Sequence, residues 1–199
     1  MDINRKSYNS IAHQWAEERR QGGLSKLVID FASRITSGGH ILDIGCGTGF
    51  PVAAYMAGQG LEVTGIDFAE NLLQQAINAH YSKTKFLHTD FWSFSPDEKY
   101  DGIIAFDSFF HFDIKLQPEI YARVAGWMRP GAYLLFTHGA SKGEITGSMY
   151  GQPFYYSCLD TSTVHALMQD AGLEVIYSVE KYRETQMDRD LVILGMKRD

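Results

Sequence analysis

The chain reads as an α/β protein, a three-layer sandwich with helices on both faces of a doubly wound, mostly parallel, seven-stranded sheet whose last strand is antiparallel. Three observations predict this. Strand-length apolar runs alternate with helical patterns from Ile41 to Leu173, which calls for crossover connections and therefore parallel strands. The first of these runs leads straight into glycines at positions 45, 47 and 49. The last two runs, 173–179 and 191–196, are joined by a turn over 183–189 and suit an antiparallel pair.

In order along the chain, Tyr8, Ile11, Ala12, Trp15 and Ala16 recur at helical spacing until Gln21-Gly22-Gly23. Leu24, Leu27, Val28, Phe31, Ala32 and Ile35 mark the inner face of a second helix. Residues 1–37 thus form an N-terminal helical cap, more than the sheet needs. Its first helix either lies over a ligand pocket, offering Tyr8 and Trp15, or packs on the body of the domain. Residues 41–44 are the first strand, and Pro51 suits the start of the helix of Val52, Ala53, Met56 and Ala57. Strand two, 61–66, ends in Asp67 and precedes a helix of Phe68, Leu72, Leu73, Ala76 and Ile77. Strand three, 85–88, leads into Thr89-Asp90-Phe91-Trp92, and strand four runs over 100–107. Pro118 opens a helix that Arg129-Pro130-Gly131 stops, before strand five at 132–138. Residues 139–160 form the longest irregular stretch, rich in glycine and aromatics, and are expected to cover a substrate. Asp160 or Thr161 caps the last helix, which Gly172 ends.

The stretch Ile-Leu-Asp-Ile-Gly-Cys-Gly-Thr-Gly-Phe-Pro at 41–51 is a strand, a glycine turn and a helix start. Its free N–H groups and the helix dipole favour a polar or anionic ligand group. A dinucleotide fingerprint would place a third glycine at position 50, which is Phe50, and a P-loop would need a lysine that the turn lacks. With Asp43 leading it, the stretch resembles the first motif of class I S-adenosylmethionine-dependent methyltransferases, an apolar strand with an acid followed by G-x-G-x-G. Asp67 lies 22 positions after Gly45, close to the spacing of about 20 at which a carboxylate meets ribose hydroxyls. The rival role for Asp67 is a helix cap.

The resemblance extends over most of residues 39–197 and implies a Rossmann-like methyltransferase fold with S-adenosyl-L-methionine as cofactor. It places Asp43, Gly45, Cys46, Gly47 and Gly49 at the methionine end and Asp67 at the ribose, with Phe68 also in the cofactor-binding set. Asp90 faces the adenine amino group and Phe91 its ring, unless they are a loop cap and a core aromatic, and Asp107 closes the cofactor set. Loss of Asp67 is expected to weaken cofactor binding at least tenfold and to leave the unliganded stability nearly unchanged. If the acceptor must lose a proton, His111, His138, Tyr8 and Tyr156 are the candidate catalytic groups, unranked. His111 could equally be a core histidine among Ser108-Phe109-Phe110 and Phe112.

With 199 residues, 45% hydrophobic, one domain over 1–199 is expected. Two cysteines, the want of a signal-like start and of long apolar runs suggest a cytoplasmic protein with no membrane partner. A net charge of −6 argues against nucleic acid. No metal is expected, and the oligomeric state is open. The best acceptor is a small organic molecule with an aromatic or apolar portion. A nucleotide-binding oxidoreductase and a non-catalytic S-adenosylmethionine-binding module remain the alternatives.

Overall fold

A computed structural model of the protein describes residues 2–184 and 188–198. The elements in order are α1 (Asp2–Gln21), α2 (Lys26–Ser33), β1 (His40–Ile44), α3 (Val52–Gly58), β2 (Glu62–Asp67), α4 (Glu70–Asn78), β3 (Thr84–His88) and β4 (Tyr100–Ala105). A 3-10 turn (Phe109–His111) then precedes α5 (Gln117–Trp127), β5 (Met128–His138), β6 (Gly143–Met149), β7 (Gln152–Cys158), α6 (Thr161–Asp170), β8 (Leu173–Tyr182) and β9 (Arg189–Lys197).

Seven strands make one sheet in the order β3-β2-β1-β4-β5-β9-β8. β1 pairs in parallel with both β2 and β4, and β9 alone runs against its neighbours. Alternation along the strands fills both faces. Leu42, Ile103, Leu134 and Ile193 join one core, while Ile41, Ile104, Leu135 and Val192 join the other. The first core takes Ile120 and Val124 of α5 and Val164 and Met168 of α6. The second takes Val28 and Phe31 of α2 and Ala53 and Met56 of α3. Strand order reverses between β1 and β4, and in such sheets a ligand crevice opens beyond the strand C-termini at that point.

Two expectations need correcting. Residues 139–160 are not irregular, because β6 and β7 form a two-stranded antiparallel hairpin. Met149 pairs with Gln152, and the intervening Tyr150 and Gly151 both have positive φ, as a two-residue hairpin turn requires. Gly143, Gly147 and the polar residues between them hide the alternation that would announce two strands. The helix does stop before Arg129-Pro130-Gly131, but strand five starts earlier than 132 and takes these residues in. β5 begins at Met128 directly after α5, and its pairing with β4 shifts register past Tyr100. The expected turn over 183–189 falls partly on positions 185–187, outside the described residues.

α1 bridges the crevice. On one side Asn71 of α4 donates its backbone N–H to Asn9 Oδ1 at 2.8 Å, and Gln75 donates to the Ala12 carbonyl at 3.1 Å. On the other, Ser7 donates to the Pro153 carbonyl of β7 at 2.6 Å.

Candidate active site

The turn after β1 is built from main chain. Gly45 and Cys46 both donate their N–H to the Ile66 carbonyl, at 2.9 and 3.1 Å, which bends the chain over the end of β2. Gly45 has φ +77°, and a Cβ there would lie 2.6 Å from the Ser108 Cβ. Gly47 has φ +55° with open space before it, the nearest atom being Trp15 Nε1 at 3.9 Å. One glycine is there for packing, the other for conformation and clearance.

Asp67, at the end of β2, accepts the Gly47 N–H on Oδ2 at 2.8 Å and the Ala69 N–H on Oδ1 at 2.7 Å. It is therefore both part of the glycine turn and the brace of the approach to α4. Burial raises its pKa, against the pull of those two N–H groups. This wiring revises one expectation. Removing the carboxylate orphans two buried donors, so the unliganded protein should lose about 1–3 kcal/mol rather than stay unchanged. Asp43 is buried in mid-sheet with Oδ2 unpartnered among the described residues. Burial, and secondarily the charge of Asp67, pushes its pKa up to about 7. Burial likewise drives the Cys46 thiol well above its usual range.

These residues line a first chamber together with Phe50, Phe68, Thr89, Phe91 and Asp107. Asp90 is absent from that lining. Its carboxylate accepts from the N–H groups of Trp92 and Ser93, at 2.8 and 3.0 Å, and caps the turn after β3. Phe91 lines the chamber while packed edge-on against Trp92 and Trp127 in the core. Gly49 packs against Phe86 instead, where a Cβ would lie 2.8 Å from the ring.

Asp107 stands at the junction with a second chamber. Its φ of +62° is left-handed. Thr137 Oγ1 accepts its N–H at 2.8 Å, and Arg189 of β9 grips its carboxylate through Nε and Nη2 at 3.0 and 3.1 Å. Arg189 also stacks on Phe106, 4.2 Å from the ring centre. Arg19 of α1, lying over Trp15, approaches the same carboxylate at 3.5 Å. Neither arginine carries a local motif, and sequence reasoning missed both.

The second chamber has a volume of about 620 Å³ and shares Tyr8, Trp15, Arg19, Asp107 and His111 with the first. Phe110, Tyr156, Ile145 and Met149 make its apolar walls. The Tyr8 hydroxyl lies 2.8 Å from His111 Nε2. His111 Nδ1 lies 3.0 Å from both the Tyr155 carbonyl and Asn4 Nδ2. With Nδ1 protonated it donates to Tyr155 and accepts from Tyr8. With Nε2 protonated it accepts from Asn4 and donates to Tyr8. Both nitrogens are satisfied either way. Burial lowers the His111 pKa to about 4, with the Tyr155 carbonyl and Asp107 opposing, so the ring is neutral. Burial raises the Tyr8 pKa. Asn4, fully buried, ties the network together by accepting the Tyr155 N–H at 2.8 Å and donating to the Tyr155 carbonyl at 2.9 Å. Nothing at position 4 announced this. His138 lines the second chamber only, and Tyr156 leans on His111 with ring centres 5.0 Å apart.

Among the described residues no group of three His, Cys, Asp or Glu side chains could hold a metal ion, and no helix is long and apolar enough to cross a membrane.

Sheet order, glycine turn and switch-point crevice together define a doubly wound α/β protein with a crevice at the strand-order reversal. A family model described as a methyltransferase domain matches residues 16–178, and the chain belongs to that family. Phosphoethanolamine N-methyltransferase 1 of Arabidopsis thaliana is 29% identical over 133 residues, 60% of this chain and 26% of that protein. O-methyltransferase resE of Aspergillus sclerotiorum is 27% identical over 128 residues, 60% of this chain and 47% of that one. The matched stretch spans between about a quarter and three fifths of the curated relatives' lengths. In fold, the chain resembles the Burkholderia thailandensis 1,6-didemethyltoxoflavin-N1-methyltransferase, solved with 1,6-didemethyltoxoflavin and S-adenosylhomocysteine. The TM-score is 0.79 at 17% identity, covering 100% of this chain and 88% of that one.

Proposed function

We propose that this protein transfers a methyl group from S-adenosylmethionine to a small organic acceptor with an aromatic or apolar body. The observation that carries the reading is a buried carboxylate oxygen, Asp43 Oδ2, left unpartnered near the Gly47–Asp67 bridge in the wall of the first chamber. An ammonium group is the donor such an oxygen lacks, and the space before Gly47 admits a ligand close to the main chain. Asp43 and the turn at Gly45, Cys46 and Gly47 would hold the amino-acid end, with Gly49 serving the turn by its packing on Phe86. Asp67 and Phe68 would hold the ribose, and Phe91 with Thr89 the base. Asp90, spent on its own turn, would reach the base only through a rearrangement of residues 92–93.

When bound, the cofactor supplies a methyl carbon on a sulfonium. The chain's own work is alignment and exclusion of water, and alignment alone can be worth as much as about 7–11 kcal/mol. Tyr8 sits at the junction of the two chambers with its hydroxyl on His111. An acceptor that must shed a proton meets this pair first, the neutral imidazole being able to draw the proton through the phenol oxygen. The relatives named above are described by nitrogen and oxygen transfer, so family membership leaves the acceptor atom open. We read residues 1–199 as one domain, with 1–37 as cap and the hairpin within 139–160 as the cover of the acceptor. The two free cysteines accord with a cytoplasmic setting.

Calorimetric titration with S-adenosylhomocysteine and with NADH tests the reading. The first should bind and the second should not. Tight NADH binding would return the oxidoreductase alternative, and cofactor binding without turnover on any of a panel of phenols, thiols and amines would favour a binding module.

A further inference from the structure

His138 closes β5, opposite Leu191 of β9, and the strand pairing fixes where its ring stands. The residue is 2% exposed. Its Nδ1 lies 2.9 Å from the Gly139 carbonyl, an atom that can only accept. Nδ1 therefore carries the hydrogen and Nε2 keeps a lone pair. That lone pair is buried and meets no donor among the described residues. Burial lowers the pKa of the ring, which keeps Nε2 unprotonated. A buried acceptor left unpaired is costly, and native structures hold few of them. His138 as a residue belongs to the wall of the second chamber, with Phe110, Tyr156 and Ile145, and lies outside the wall of the first. His111 cannot take the same part, since both its nitrogens are occupied.

We propose that His138 determines acceptor specificity, its Nε2 accepting a hydrogen bond from an O–H or N–H of a flat ring compound held in the second chamber. The inference rests on that chamber being the acceptor site. Because His138 does not line the cofactor chamber, the donor it reads is set apart from the atom that meets the methyl group. An analogue without the donor leaves Nε2 desolvated and unpaired, and sites built to hydrogen-bond a substrate group reject analogues lacking it strongly.

The test uses the full chain saturated with S-adenosylhomocysteine and needs no turnover. Paired probes are titrated by calorimetry: 2-naphthol against 2-methoxynaphthalene, and 7-hydroxycoumarin against 7-methoxycoumarin. The donor-bearing member of each pair should bind at least about tenfold tighter. In His138→Leu the preference should collapse to within about twofold, and His138→Gln, whose amide oxygen accepts, should restore part of it. In the ¹⁵N spectrum of histidine-labelled protein, only the donor-bearing probe should move the unprotonated Nε2 signal of His138. Equal binding within pairs, a preference that survives in His138→Leu, or no binding by any probe would overturn the inference. Failure to bind S-adenosylhomocysteine at all would instead overturn the methyl-donor reading beneath it.

Discussion

The first and second chambers, proposed above for cofactor and acceptor, meet at Tyr8, Asp107 and His111, yet they are made of different material. The first is organised on main chain, a glycine turn whose N–H groups at Gly45, Cys46 and Gly47 are bonded to Ile66 and Asp67 rather than free, with carboxylates and aromatic side chains around it. The second is mostly side chains, brought together from α1, the 3-10 turn, the end of β5 and the β6–β7 hairpin. The bonds that join it span up to 151 positions, as from Asn4 to Tyr155. A main-chain site depends on a few positions where only glycine fits. A side-chain site depends on the identity of nearly every residue in its wall. The first kind suits a cofactor shared by many proteins, the second an acceptor particular to one.

The largest expected effect separates the two chambers most sharply. Gly45→Ala adds a Cβ 2.6 Å from that of Ser108 at a φ of +77°, and Ser108 is held by its own bond to the Ile44 carbonyl at 2.8 Å. Left-handed strain of about 1–2 kcal/mol and overpacking of about 1–3 kcal/mol add up to about 2–5 kcal/mol, so the variant turn relaxes out of its native geometry. Regaining that geometry to bind S-adenosylhomocysteine costs the same amount, a loss of roughly thirty- to several-thousandfold in affinity. Probes of the second chamber should bind the variant as before. A cofactor affinity within threefold of the native protein would show that the turn is not the cradle.

This contrast also explains what could be read from the sequence. β1, its glycines and Asp67 are local in the chain, and their spacing reports geometry directly. The sheet's strand count and the antiparallel final strand follow from alternating apolar runs in the same way. The second chamber has no such signature. Asn4, Arg19 and Arg189 are ordinary polar residues in sequence, and only folding sets Arg189 on Asp107, 82 positions away. The hairpin escaped because its outer faces are largely polar and its glycines read as loop. Tyr8 and His111 were both candidates, but nothing in the chain said that their side chains touch.

Tyr8→Phe should have the next largest effect, and on the other side of the comparison. It keeps the ring packed on Phe154 and removes only the hydroxyl on His111. Positioned proton transfer contributes about 10²–10⁴-fold, so kcat for a protonated acceptor should fall by about a hundredfold while S-adenosylhomocysteine affinity stays within threefold. Steady-state kinetics beside calorimetry checks both. An unchanged kcat would remove the Tyr8–His111 pair from the chemistry and leave it as a strut between α1 and β7.

The smallest effect concerns a proton. In the folded protein burial holds the Asp43 pKa at about 7, above its ordinary 3.8, so between those values the native state binds a proton that the unfolded chain does not. Its contribution to stability therefore declines as pH rises from about 4 to 7 and is flat above. His111 works in the opposite sense. Its pKa falls from 6.5 to about 4, so the stability it contributes is lost as pH drops through that window. The two slopes oppose each other over nearly the same range, and a melting curve against pH would blur them. Cofactor binding separates them, because an ammonium group against Asp43 favours the carboxylate and expels its proton. Near pH 6, S-adenosylhomocysteine should release about one proton, seen as a binding enthalpy that varies with the buffer's ionisation enthalpy; near pH 8 it should release almost none. Its affinity should fall by up to about tenfold per pH unit below 7. Asp43→Asn should abolish the release and leave the His111 slope in place. If the enthalpy at pH 6 is independent of buffer, Asp43 is not the ammonium's partner, and its orphaned oxygen must be explained otherwise.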